Sequence, residues 1–132
     1  MRIQVKDFMS SPVTTATEES SVQEIRTLMK ENGIHAIPII SYSEDSAQVE
    51  MIIRGIVTAT DINKEVHDNT TVKDIMTYTS VHVVHIDSSA QSAAKMMLRH
   101  KVHHIIAMHE GKIKGMISSL DFVKLVAEYS LE

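Results

Sequence analysis

Two short runs in this chain combine groups suited to holding a small polar ligand. Gly55, Thr58 and Asp61 follow the spacing Gly-x-x-[Ser/Thr]-x-x-Asp, and Gly115, Ser118 and Asp121 repeat it. Where such a run carries a strand into a helix, the helix N-terminus offers free backbone N–H groups and a partial positive charge, which suits phosphate. The hydroxyl can donate to that phosphate, and a carboxylate one turn on can accept both hydrogens of a ribose diol. Glycine at the strand allows backbone or ligand to come close. The same spacing also describes ordinary N-capping, in which helix and side chain satisfy each other. Both readings stand on the residues alone, because duplication copies caps as well as sites.

Histidine is the other candidate chemistry. Six of the eight histidines are His82, His85, His100, His103, His104 and His109. They raise the question of a metal-responsive sensor. If His82 and His85 share a strand, their odd separation puts them on opposite faces, and no helical His-Glu-x-x-His pattern is present. No metal site is therefore expected. No Gly-x-Ser-x-Gly elbow, paired-carboxylate spacing or P-loop occurs either, so no catalytic residue and no enzyme activity is expected. Histidines that meet a phosphate would make its binding pH-sensitive.

The elements that must position these groups come twice. Val5-Lys6-Asp7-Phe8-Met9 returns as Val72-Lys73-Asp74-Ile75-Met76, and Ile34-His35-Ala36-Ile37 as Val102-His103-His104-Ile105. The glycine motif is the third matched block, in the same order. The repeats are expected to span 1–66 and 67–132, the first with a longer polar loop from Ser41 to Glu50. Each begins with an extended stretch (Val13 to Thr15; Val81 to Ile86) and continues into a helix. In the first helix, Ser21 to Glu24 fits a capping box, Val22, Ile25, Leu28 and Met29 form one face, and Gly33 is the stop. The second carries Ala90, Ala93, Ala94 and Met97 on its face. Two strands follow in each repeat, 36–40 and 51–58, then 105–108 and 112–118, the latter pair joined by a tight turn at Glu110-Gly111. A last helix is expected near Thr60 and near Leu120. The fold class is α+β, built from two β-α-β-β-α repeats. Leu120, Phe122, Val123, Leu125, Val126 and Tyr129 exceed a single apolar stripe, which suits packing against a second copy.

Composition bounds the rest. The 132 residues are 43% hydrophobic and 23% charged, enough for a real core and against disorder. A net charge of −4 argues against a nucleic-acid or anionic-membrane surface. Cysteine is absent, which excludes disulfides and thiolate metal sites. With no spanning segment or signal-peptide pattern, the expected location is cytoplasmic.

Taken together, "GIVTATDI" and "GMISSLDF", each repeat opened by "VKDFM" or "VKDIM", resemble a tandem pair of CBS domains, the Bateman module. The resemblance covers nearly the whole chain. It implies two repeats packed with pseudo-two-fold symmetry and clefts that take an adenosine-containing ligand: AMP, ADP, ATP or S-adenosylmethionine. No cofactor is implied beyond that regulatory ligand. By motif position, Asp61 and Asp121 would hold ribose hydroxyls, and Thr58 and Ser118 phosphate or ribose. The backbone at Ile37, Pro38, Ile105 and Ile106 would read the adenine edge. His35 and His103 would approach phosphates, while Thr15 and Val83 lie in stretches that would line the clefts. Phosphate charge would rest on Arg99, Lys101, His103 or His104 in the second repeat, with Arg54 the cation available to the first. The resemblance further implies a homodimer forming a disc of four CBS domains and a regulated enzyme or transporter in trans. The alternative is a ligand-free dimerisation or interaction module.

Overall fold

The computed structural model describes residues 2–44, 49–63 and 65–129. The chain folds as two compact units, Thr14–Val81 and Met1–Val13 with His82–Glu132. These units do not follow the sequence repeats 1–66 and 67–132, because each opening segment packs with the strands of the other repeat.

In the contiguous unit, helix α2 (Val22–Asn32) starts at Ser21, whose Oγ accepts a hydrogen bond from the Glu24 N–H at 3.1 Å. It ends at Gly33 in the left-handed region at φ 62°, a conformation that costs glycine nothing. Val22, Ile25 and Met29 are its buried face. Strands β1 (Ala36–Ser43) and β2 (Glu50–Thr58) form an antiparallel hairpin with a bulge at Ile39/Ile40. Both run further into the polar loop than the sequence pattern indicates, and residues 45–48 of that loop lie outside the described residues. A single 3-10 turn, Val72–Asp74, buries Val72 against Val22, Ile25, Ile39 and Val57.

The other unit holds α1 (Val5–Phe8), β3 (Val83–His85), α3 (Ala90–His100), β4 (His104–His109), β5 (Lys112–Ser118) and α4 (Ser119–Glu128). Here β3 pairs in parallel with β4, and β4 pairs antiparallel with β5. Glu110 and Gly111 both have positive φ, 51° and 74°, as a tight hairpin turn between β4 and β5 requires. Val5 is fully buried with Val84, Ala93, Ile105 and Ile117, and Phe8 meets Phe122 edge-on at 5.1 Å.

The motif glycines serve this closure. The Thr77 and Ile56 backbones exchange two hydrogen bonds, and Ser10 and Met116 do the same. A Cβ on Gly55 would stand 2.6 Å from the Thr77 carbonyl oxygen, and one on Gly115 would stand 3.0 Å from that of Ser10. The close approach expected at these glycines is therefore made by the chain itself.

The two sheets differ in one strand. In the second repeat, the Ile106 N–H donates to the His82 carbonyl, which helps seat β3. The matching position in the first repeat is Pro38, which has no N–H. The extended stretch expected at Val13 to Thr15 is accordingly reduced to one bridge, Ala16 to Ile39, and the hairpin remains two-stranded.

The last helix expected near Thr60 does not form: 59–62 is a turn, and no helix is present among the described residues between β2 and Val72. Arg26 supplies the reason. Its Nη2 donates to the carbonyls of Ile62, Asn63 and Val66 at 3.3, 2.8 and 2.8 Å, and its Nη1 pairs with Asp68. The Asn63 side chain also accepts from the Glu65 N–H, a local bond that competes with helix. The helix expected near Leu120 does form, as α4.

Candidate functional site

The two copies of the glycine motif close differently. At Ser118, a full capping box opens α4: the Ser118 N–H donates to Asp121 Oδ2 at 2.8 Å, and the Asp121 N–H donates to Ser118 Oγ at 3.3 Å. At Thr58, both the backbone N–H and the hydroxyl donate to Asp61 Oδ2, at 2.9 and 3.1 Å, and a turn follows. Capping is thus present in both copies, and it engages one carboxylate oxygen. Among the described residues nothing donates to Oδ1 of Asp61 or of Asp121. Each carboxylate is half-buried, oriented by its own backbone, and retains acceptor capacity for a diol.

A histidine is tied to each turn through its main chain. The Ala59 N–H donates to the His35 carbonyl at 2.9 Å, and the Ser119 N–H donates to the His103 carbonyl at 3.0 Å. Both imidazoles are exposed; His103 Nδ1 lies 3.2 Å from Ser119 Oγ, a bond that Ala59 cannot offer His35. Ile37, Pro38 and Ile105 are buried strand residues, paired with Val57, Ile56 and Ile117 respectively. Thr15 is half-buried beside Ala16, and Val83 is exposed at the start of β3. In sequence, Thr15, His35, Ile37, Pro38, Thr58 and Asp61 all belong to the contiguous unit. Val83, His103, Ile105, Ser118 and Asp121 all belong to the other. Each unit therefore carries its own set.

Of the cations weighed from sequence, Arg54 is engaged by Ser41 Oγ at 2.8 Å and by Glu18 at 3.6 Å. Arg99 and Lys101 are exposed, and Lys101 occupies the left-handed cap of α3 at φ 54°. The structure adds two residues that the motif search did not single out, Arg26 and Lys30. Both lie on α2 and line open hollows of the contiguous unit. One hollow, about 380 Å³, is bounded by Arg26, Ile62, Val66, His67 and Asp68. The second, about 320 Å³, is bounded by Arg26, Met29, Lys30, Ile34, His35, Ala59 and Ile62. Their i, i+4 spacing on α2 was the available signal, obscured because both read as ordinary solvated helix positions.

The clustered histidines form two pairs. His82 stacks on His100 at 4.0 Å, while His85 Nε2 lies 3.2 Å from His109 Nδ1. The Asp87 N–H donates to His85 Nδ1, so the neutral His85 carries its proton on Nε2 and donates it to His109. Among the described residues no three or more metal-capable side chains converge.

Burial, and then the neighbouring His100, lower the His82 pKa below its ordinary value near 6.5. The folded chain thus takes up this proton less readily than the unfolded chain. Its contribution is intact above about pH 6.5 and is lost as pH falls below that. Melting followed by circular dichroism should show a decline in Tm from pH 7.5 to 5.5 that His82→Gln makes shallower; an unchanged slope in that variant would exclude the pair.

Two duplicated hairpin-and-helix units, each with a capping carboxylate in a turn bonded to the main chain of an exposed histidine, define the class of a tandem repeat. The chain belongs to the CBS domain family, whose profile matches residues 5–68 and 72–128. It is 32% identical over 117 residues to an inosine-5′-monophosphate dehydrogenase of Korarchaeum cryptofilum, covering 88% of this chain and 23% of that protein. It is 28% identical over 128 residues to a homoserine O-acetyltransferase of Methanosalsum zhilinae, covering 96% and 25%. The chain therefore spans about a quarter of the length of these relatives. Among solved structures it is similar to the CBS domain pair of protein MJ0100 in complex with 5′-methylthioadenosine and S-adenosyl-L-methionine. The TM-score is 0.80 at 25% identity, covering 96% of this chain and 98% of that one. No helix among the described residues is long and apolar enough to cross a membrane.

Proposed function

We propose that this CBS pair is a regulatory module that takes an adenosine-containing ligand in each unit and signals to a target enzyme or transporter in trans. The observation that carries this reading is the pair Asp61 and Asp121, each aimed by its own capping bonds with Oδ1 left open. The adenosyl compounds bound by the similar MJ0100 pair support the ligand class. The ligand would act by favouring one arrangement of the module over another.

Thermal unfolding against AMP, ADP, ATP, S-adenosylmethionine and 5′-methylthioadenosine tests it. A ligand at one hundred times its Kd should stabilise the fold by about 2.7 kcal/mol. The double variant Asp61→Asn/Asp121→Asn keeps a capping oxygen but removes the carboxylate, so it should melt near the wild type and lose the ligand shift. No shift with any of these compounds would sink the proposal and leave the interaction module. That second reading rests on α4 and its C-cap, where the exposed Leu120, Val123, Val126 and Tyr129 suit packing in a homodimer.

A further inference from the structure

Both opening runs, Val5 to Met9 and Val72 to Met76, end in a methionine. The fold gives the two side chains the same place: Met9 lies against Gly115 and Met76 against Gly55. A Cβ on Gly115 would overlap the Met9 sulfur and stand 2.7 Å from its Cγ. One on Gly55 would stand 3.0 Å from the Met76 sulfur and 3.3 Å from its Cγ. Each thioether thus fills the space that the missing side chain leaves, within its own unit.

Two further observations make this seat sensitive to oxygen. The other atom crowding each glycine is a backbone carbonyl oxygen, that of Ser10 at Gly115 and that of Thr77 at Gly55. Both already accept from the strand, from the Met116 N–H at 3.0 Å and the Ile56 N–H at 2.8 Å. A sulfoxide oxygen in this space would be one acceptor set against another, without a donor to offset its lost hydration. Exposure is the second observation. Met9 and Met76 are half-buried, whereas Met29, Met97 and Met116 are buried in the cores. Met51, Met96 and Met108 are half-buried as well, but none of them is among the atoms nearest a motif glycine.

We propose that Met9 and Met76 are oxidation sites, and that converting either to its sulfoxide frees the opening segment from the motif glycine. The oxidant is a peroxide. A sulfur lone pair attacks one peroxide oxygen, the S–O bond forms and the O–O bond breaks. With hydrogen peroxide, the leaving hydroxide takes the proton of the transferred oxygen and becomes water. Sulfur is oxidised by two electrons and the peroxide is reduced by two; a methionine sulfoxide reductase reverses the step. The residue after each methionine bonds the strand just past its glycine, Ser10 to Met116 and Thr77 to Ile56, so losing the seat opens those bonds. The device operates whether or not either unit takes an adenosyl ligand.

Treating the folded full chain with hydrogen peroxide tests this, read by peptide mass spectrometry and amide hydrogen exchange. Met9 and Met76 should gain oxygen before Met29, Met97 and Met116. The amides of Ser10, Met116, Thr77 and Ile56 should then exchange about tenfold faster, the factor that losing one methionine's apolar contacts is worth. Reductase treatment should restore their protection. In Met9→Leu/Met76→Leu, which keeps the volume and removes the sulfur, these amides should stay equally protected with and without peroxide. Three results would overturn the proposal: core methionines oxidising as fast as these two, unchanged exchange once both carry oxygen, or the same acceleration in the leucine variant. Should that variant not fold, the reductase decides, because acceleration that persists after the sulfoxides are removed would exclude them as its cause.

Discussion

A fragment of residues 14–81 should unfold cooperatively on heating, whereas a fragment of residues 1–66 should show no cooperative transition. The two are nearly equal in length, and the second is the more natural cut by sequence repeat. It removes Val72, Ile75 and Met76 from the core they help build. It also removes the bonds from Val72 N–H to Ser20, from Lys73 N–H to Glu18 and both bonds between Thr77 and Ile56. Burying one valine is worth roughly 1.5–3 kcal/mol. A domain of this size has only about 3–10 kcal/mol in total. The retained residues 1–13 offer no substitute, because their partners Ser88, Ile86, Ala90 and Met116 are absent from the fragment. Circular dichroism melts and amide dispersion in NMR distinguish the cases. Equally cooperative melting of both fragments would mean that the opening segments do not complete the opposite repeats.

Replacing Arg26 by methionine should cost about 2 kcal/mol, since hydrogen bonds to a charged group are individually worth about 1.5–3 and this side chain is partly solvated. That corresponds to a drop of roughly 10 °C in a domain this small. The Arg26 side chain is 30% exposed, and its planar fork reaches three carbonyls and a carboxylate at once. Lysine should not rescue it, because an ammonium cannot match that fork. Urea denaturation measures the loss, and hydrogen exchange should localise faster opening to residues 62–70. A stability within 0.5 kcal/mol of wild type, on the ordinary scale of surface substitutions, would show that the turn does not depend on Arg26.

Arg26 also explains where sequence reading stops. The α2 face, its Ser21 cap, its Gly33 stop and the Glu110-Gly111 hairpin are local, and period and turn chemistry expose them. The fate of the run after Thr58 is not local. Thr58 to Asp61 and Ser118 to Asp121 carry the same capping signal, yet one opens a helix and the other a turn. The difference comes from a side chain more than thirty residues upstream. The exchange of opening segments was hidden for the same reason: "VKDFM" and "VKDIM" match so well that nothing in them states which strands they join. Residue types and spacing singled out both carboxylates and both turn histidines as candidates. They could not divide capping from binding, and the bonds to Oδ2 show that a cap need not use the whole group. Lys30 reads as an ordinary solvated helix position until the fold sets it around one hollow with His35 and Ile62.

Pro38 carries a consequence for the history of the two copies. Losing a single N–H leaves the Ala36–Ser43 and Glu50–Thr58 hairpin without the third strand its sibling keeps. The duplicated halves are alike in blueprint but unequal in strand pairing along one margin. Amide protons on the proline-bearing side should therefore trade with solvent sooner. A tandem protein built this way has one sheet with a bare margin and one with that margin covered, so symmetry of descent need not mean symmetry of response.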